Sequence, residues 1–333
     1  MRTETEGGPE GPPFYLQTQR RAMAKPFLTY EQQLNKLRNE KKLVVSDDAF
    51  ALSALKDIGY FSLIGGYKTP FINPMTRVYE AGTTFEDIYA LYRFDTALRE
   101  LFFKYLCVIE SKIRQLISYA FCSIYGEQQS AYLSVTNYNN TPKNAADIQK
   151  LLKILNYHAN IDTEHPYLVH QRKVYKNVPL WCVMKSLTFG NTSKFYSLLP
   201  SNIQSDISKE YKNITEGDLA KYLKLLTLFR NVCAHNERLY SFRIQKDFPD
   251  TELHTKLGIP QKGKQYLYGK RDLYGLVIAF RYLLSKDDFL RFKRTLTKII
   301  NAYFRESSRI SRRDLLEAMG FPNNWEQITR FRI

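Results

Sequence analysis

The chain has 333 residues, 44% of them hydrophobic and 14% aromatic, which is enough to bury one large core or two modest ones. Lys and Arg outnumber Asp and Glu by 49 to 33, and the net charge of +16 points to a polyanionic partner, nucleic acid ahead of an acidic membrane surface. No apolar run approaches the roughly 20 residues that span a bilayer, and 4 scattered cysteines without a C-x-x-C pair fit a reducing cytoplasm and argue against a structural zinc site.

Residues 1–24 are rich in Gly and Pro, contain no apolar segment of signal-peptide type, and read as a disordered leader. A small N-terminal helical subdomain with an aromatic connector is expected over residues 25–80. Thr29 caps a helix through Leu34 and Leu37, and Asp47 with Asp48 opens another through Phe50, Leu52 and Leu55. Residues 58–71 then break the helical period, with Gly59, Gly65, Gly66 and Pro70 set among Tyr60, Phe61, Tyr67 and Phe71. This stretch reads as a packed connector ahead of a base-stacking surface.

The main helical domain is expected over residues 81–310. Thr83 and Glu86 have the spacing of a capping box, and the apolar period that follows continues to Ile124 and stops at Gly126. It predicts one very long helix or two with a kink. Arg93, Asp95 and Arg99 read as solvated positions. Glu110 and Arg114 lie one turn apart among apolar neighbours, as a helix-surface pair or as support for a site.

Residues 125–179 are polar and turn-rich, with helical signals at 148–157 and again at 180–187 and 194–199. His158, His165 and His170 fit no helical metal-ligand pattern and are interrupted by Pro166, so they read as loop histidines and no metal is expected. Residues 248–269 predict a long, mobile loop in which His254 has no evident partner. Between residues 270 and 313 there are 12 basic and 4 acidic residues, half of the whole positive excess. Arg291, Lys293, Arg294, Lys298 and Arg305 are therefore expected to contact RNA, with binding that weakens steeply as salt rises. Over residues 311–333, Ser311 with Asp314 and then Gly320 delimit a terminal helix before a short tail. The fold class is all-α: a helical bundle with a small N-terminal extension and a basic C-terminal region.

The chemistry is concentrated at residues 219–239, read as one helix capped by Asp218. On a wheel of about 100° per residue, Arg230, Asn231, His235 and Arg238 share one arc of about 140°, and Leu225, Leu226, Phe229 and Val232 lie opposite. An imidazole exchanges protons near neutrality, while a guanidinium offers permanent charge and forked donors to phosphate oxygens. Such a pair can cleave RNA without a metal or other cofactor. The 2′-hydroxyl is the nucleophile, His235 moves a proton, Arg230 stabilises charge on the phosphate oxygens, and Asn231 orients the ring or a phosphate oxygen. By itself, an Arg and a His five apart is also a common surface arrangement.

Arg230-Asn231-Val232-Cys233-Ala234-His235 resembles the Arg, four residues, His motif of HEPN ribonucleases, including the Asn after the Arg. The chain also resembles the Abi-like family that contains AbiD and AbiF, from about Lys25 to Arg243. The resemblance rests on ordered blocks: Lys25-Pro26-Phe27-Leu28-Thr29-Tyr30, Ile58-Gly59-Tyr60-Phe61, Leu91-Tyr92-Arg93-Phe94-Asp95, Ile109-Glu110-Ser111-Lys112-Ile113-Arg114, Pro179-Leu180-Trp181 and Leu187-Thr188-Phe189-Gly190. It implies a HEPN fold and a part in phage defence or a toxin–antitoxin system. The chain departs from the pattern after the motif, where many relatives carry a second His and this sequence has Asn236 and Glu237.

The resulting expectation is a cytoplasmic endoribonuclease with Arg230, His235 and Asn231 at its centre and Glu110, Arg114 and Arg238 in support. RNA is its partner, as substrate and as an antitoxin or guide. A single motif supplies one histidine while cleavage moves two protons, so a homodimer through the motif face is expected. The sequence leaves open a catalytically silent module that holds a structured small RNA. A DNA-binding repressor has less support, because no helix-turn-helix pattern precedes a basic recognition helix.

Overall fold

The computed structural model describes residues 26–333, so the expected leader lies outside the described residues. Helices carry the chain, and the one sheet among the described residues is a short hairpin that pairs Gln261–Lys262 with Gln265–Tyr266. The all-α expectation holds.

Helices α1 (Tyr30–Asn35) and α2 (Asp48–Ile58) start where the sequence signals put them. Thr29 forms a full capping box with Gln32, and Asp47 accepts from the Phe50 N–H. The connector after α2 is a packed run of π and 3₁₀ turns in which Leu63, Ile64, Tyr67 and Phe71 are buried.

Helix α3 (Phe85–Tyr125) is a single element of 41 residues. Its capping box uses Thr84 and Asp87, one position later than Thr83 and Glu86. Thr83 is instead buried, donating its hydroxyl to the Glu80 carbonyl. Nothing in the interior of α3 interrupts the ladder, and Gly126 ends it at φ +82. Along its length Phe50 packs on Phe85, Phe94 on Tyr303, and Phe102 on both Phe280 and Phe292. Each such buried side chain contributes about 1.5–3 kcal/mol.

The polar middle of the chain forms short helices, α4 (Gln129–Leu133), α5 (Ala145–Asn156), α6 (Pro166–His170), α7 (Leu180–Ser186), α8 (Phe189–Leu198) and α9 (Ser201–Ser208), of which α7, α8 and α9 pack on α3. Gly190 sits in the first turn of α8, with Thr227 close by. Helix α10 (Glu216–Ala234) follows, packed on α3 and α8. Its cap is Thr215, with Asp218 in its first turn rather than at the cap.

The expected mobile loop at 248–269 is ordered instead. It contains α11 (Glu252–Lys256) and the hairpin, and His254 is fully buried between Thr251 and the Gly269 carbonyl. Burial lowers the pKa of this imidazole. Helices α12 (Leu273–Leu283), α13 (Lys286–Glu306) and α14 (Arg312–Met319) complete the chain, with Ser311 capping α14 and Gly320 closing it. One continuous core extends from Leu34 to Ile328 and joins all of these elements.

Candidate active site

The helix carrying Arg230 and His235 ends earlier than its apolar pattern suggests. Helix α10 stops at Ala234 and His235 is its C-cap. Asn236 adopts φ +54, the Glu237 N–H returns to the Val232 carbonyl at 3.0 Å, and the Asn236 N–H reaches the Cys233 carbonyl at 3.4 Å. This is a Schellman ending, in which the residue after the cap must tolerate the left-handed region. Asn does so better than most side chains. Asn236, one of the two residues at which the sequence departs from the expected pattern, is thus the residue that terminates the helix.

Arg230 is half-buried against α3. Its Nε lies 3.9 Å from Glu110 Oε2 and makes no hydrogen bond, and its side chain keeps 28% exposure. Glu110 is almost wholly buried, and its other oxygen accepts from Arg114, which also donates to the Leu187 carbonyl. The expected supporting pair therefore stands directly behind Arg230. One carboxylate between two guanidiniums leaves a net positive charge, restrains Arg230 from behind and leaves its outward N–H groups free.

His235 and Asn231 are both exposed, and among the described residues neither side chain makes a hydrogen bond. Asn231 therefore does not orient the ring. Backbone anchoring takes its place: the Leu239 and Tyr240 N–H groups donate to Asp95 at 2.9 and 2.6 Å, and Arg99 approaches the Glu237 carbonyl at 3.4 Å. Asp95 also accepts from Arg99 and from the Tyr67 hydroxyl, each at 2.7 Å. Asp95 and Arg99, expected in solvent, are buried. Burial pushes the Asp95 carboxyl pKa up, opposed by Arg99 and these hydrogen bonds. Sequence reasoning missed this pair because its partners lie far along the chain; the Tyr92-Arg93-Phe94-Asp95 block was the available signal.

Arg238 follows the helix end and leaves the expected arc, donating to the Gly66 carbonyl at 2.7 Å. That bond brings the aromatic connector to the motif. His235, Phe61, Gly65, Tyr67, Arg238 and Arg243 line an open recess of about 570 Å³, with Phe61 almost fully exposed. Cys233 is buried, and desolvation, aided by nearby Asp95, pushes its thiol up to about 12.

The C-terminal basic residues lie on α13. Arg291, Arg294, Lys298 and Arg305 are exposed along it. Lys293 turns aside, partly buried, and donates to the Thr329 hydroxyl at 2.9 Å. Of the three histidines read as loop residues, His158 and His165 both meet Asp162, and His170 packs against Tyr175.

The family model described as Abi-like protein matches residues 53–241, more than half of the sequence. The chain belongs to the Abi-like protein family. The match covers α3, α10, Asp95, Glu110, Arg230 and His235, begins later than the resemblance that starts near Lys25, and stops before the basic helices. Neither a curated protein nor a solved structure is similar enough to the chain to be matched. Membership places the protein among the abortive-infection-like proteins. No helix among the described residues is long and apolar enough to cross a membrane.

Proposed function

We propose that this Abi-like protein is a metal-independent endoribonuclease of the HEPN type, acting in phage defence or as the toxin of a toxin–antitoxin pair. One observation carries the reading: a half-buried Arg230 beside Glu110 and an exposed His235 fixed by its backbone share one helix end, separated by an axial rise of about 7.5 Å. The 2′-oxygen of RNA attacks the adjacent phosphorus as its proton leaves to an imidazole. The bond to the 5′-oxygen breaks, and that oxygen takes a proton. The products are a 2′,3′-cyclic phosphate and a 5′-hydroxyl. Arg230 meets the charge on the non-bridging oxygens, and the recess with Phe61, Arg238 and Arg243 accepts the neighbouring nucleotide. The exposed face of α13 gives the RNA backbone a sequence-independent track.

Two proton transfers and one histidine per motif favour a pair of chains. Lys221, Lys224, Leu228, Asn231 and His235 form the exposed stripe of α10, and Leu228 is a large apolar residue left open there. We place the twofold contact on this stripe, which brings two His235 rings to one phosphate.

Labelled RNA incubated with the protein in EDTA tests the assignment. His235→Ala is expected to lower the cleavage rate by roughly 10²-fold or more while RNA affinity stays. Arg230→Lys is expected to be defective because a point charge lacks the planar fork. Partial recovery on mixing Arg230→Ala and His235→Ala chains supports a shared site. Cleavage at the wild-type rate by a folded His235→Ala protein overturns the mechanism, and RNA binding without cleavage by the wild type leaves a passive RNA holder.

A further inference from the structure

Helix α5 does not stop at a loop. It continues through a π turn, Tyr157–Ile161, and the chain folds back so that Pro166 opens α6. This fold-back overcomes the irregular spacing of the histidines. His158 Nδ1 and His165 Nδ1 each lie 2.7 Å from the same Asp162 oxygen, Oδ2. The three atoms fall within 4.8 Å of one another.

The carboxylate is divided between two tasks. Oδ1 accepts the Glu164 and His165 N–H groups at 2.9 and 3.2 Å, which leaves Oδ2 to the imidazoles. Asp162 is 2% exposed, whereas His165 keeps its side chain 35% open to solvent. Burial raises the Asp162 carboxyl pKa, but the imidazoles and backbone N–H groups outweigh it and hold it at about 2. The frame does not depend on the histidines: Arg172 donates to the carbonyls of His158, Ala159 and Asp162 and so ties the turn together from its other side.

We propose that His158, Asp162 and His165 form a binding site for a divalent transition metal of the zinc class, completed by solvent on the open side of His165. Two imidazole nitrogens and one carboxylate oxygen are the donor set that suits such ions, with a fourth position left open. Bonds of about 2.0–2.2 Å place tetrahedral ligands roughly 3.3 Å apart, so each Nδ1 moves about half an ångström away from Oδ2 and the ligand atoms, which lie within 4.8 Å of one another, settle to that spacing. Without the ion each Nδ1–H donates to Asp162 Oδ2; metal binding shifts that proton through solvent to Nε2, which frees the Nδ1 lone pair. The ion is a local clamp. His165 packs on Tyr167, Lys185 stands over the Tyr167 ring, and Lys185 with Arg114 lines the groove between α3 and α7.

The site shares no residue with the Arg230 and His235 pair, so metal uptake is read separately from RNA cleavage. The full-length protein, stripped with a chelator and then titrated with zinc chloride, is expected to take up one equivalent per chain and to unfold at a higher temperature with the metal. Cobalt chloride is expected to give the visible absorption of a four-coordinate cobalt(II) ion. Both responses are expected to disappear in H158A/H165A, whose turn is still tied by Arg172, and in His165→Ala alone the affinity is expected to fall at least tenfold. Absence of zinc uptake by the stripped wild type, or uptake that H158A/H165A retains in full, overturns the proposal and leaves a hydrogen-bonded turn only.

Discussion

The two halves of the candidate site are held in opposite ways. Arg230 is restrained through its side chain, by a carboxylate that another arginine also grips, while His235 projects freely and is fixed through the backbone that follows it. A group that must meet developing charge gains from a fixed direction, since reorganisation during the reaction costs rate. A group that must move protons gains from access to solvent and substrate. The same helix supplies both because it ends between their requirements: Arg230 lies on its packed flank and His235 at its cap.

The sharpest way to break this comparison is to remove the backbone anchor. Asp95→Ala leaves Arg99 buried without its carboxylate and strips the acceptor from the Leu239 and Tyr240 N–H groups. It is expected to cost about 3–5 kcal/mol in urea unfolding and to abolish activity together with stability. A loss under about 1 kcal/mol would mean that the loop holds itself. Removing the side-chain anchor is expected to be milder, because Arg114 and Arg230 keep partial exposure. Glu110→Gln should cost about 1.5–3 kcal/mol and slow the cleaving step while leaving RNA binding intact; an unchanged single-turnover rate would separate Glu110 from the chemistry.

The smallest expected effect lies between the two anchors. Asn236→Gly is expected to change stability by only a few tenths of a kcal/mol, whereas Asn236→Val, with a branched side chain at φ +54, should cost about 1–2 kcal/mol. Equal melting temperatures for these two variants would show that the Schellman ending does not set where the helix stops.

What was legible in the sequence was local. The caps at Thr29, Asp47 and Ser311 were readable because the residue that completes each lies three positions away. Glu110 and Arg114 were legible as a pair because charges among apolar neighbours on one helix face are conspicuous, and the fold sets that pair beside Arg230. Asp95 and Arg99 looked equally charged and were placed in solvent, since Tyr67, Glu237 and Leu239 reach them only through the fold. The apolar period extended α10 to Leu239 because periodicity does not register a left-handed residue such as Asn236. The cluster of His158, Asp162 and His165 was hidden for a related reason, in that a π turn and a chain reversal shift spacing away from every helical template.

Helix α3 holds both anchors on one uninterrupted rod, Asp95 and Arg99 in one place and Glu110 and Arg114 about 22 Å further along. It therefore works as a gauge with a fixed phase. Helix α10 runs against it in the opposite direction, and the chain at its end is tied to α3 twice, at Arg230 within the helix and at Glu237 just beyond it. Adding or deleting one residue between the ties turns one relative to the other by about 100°, so both cannot be met together. The interval between Arg99 and Glu110 thus tolerates exchange of residue type where packing allows, but not a change in length.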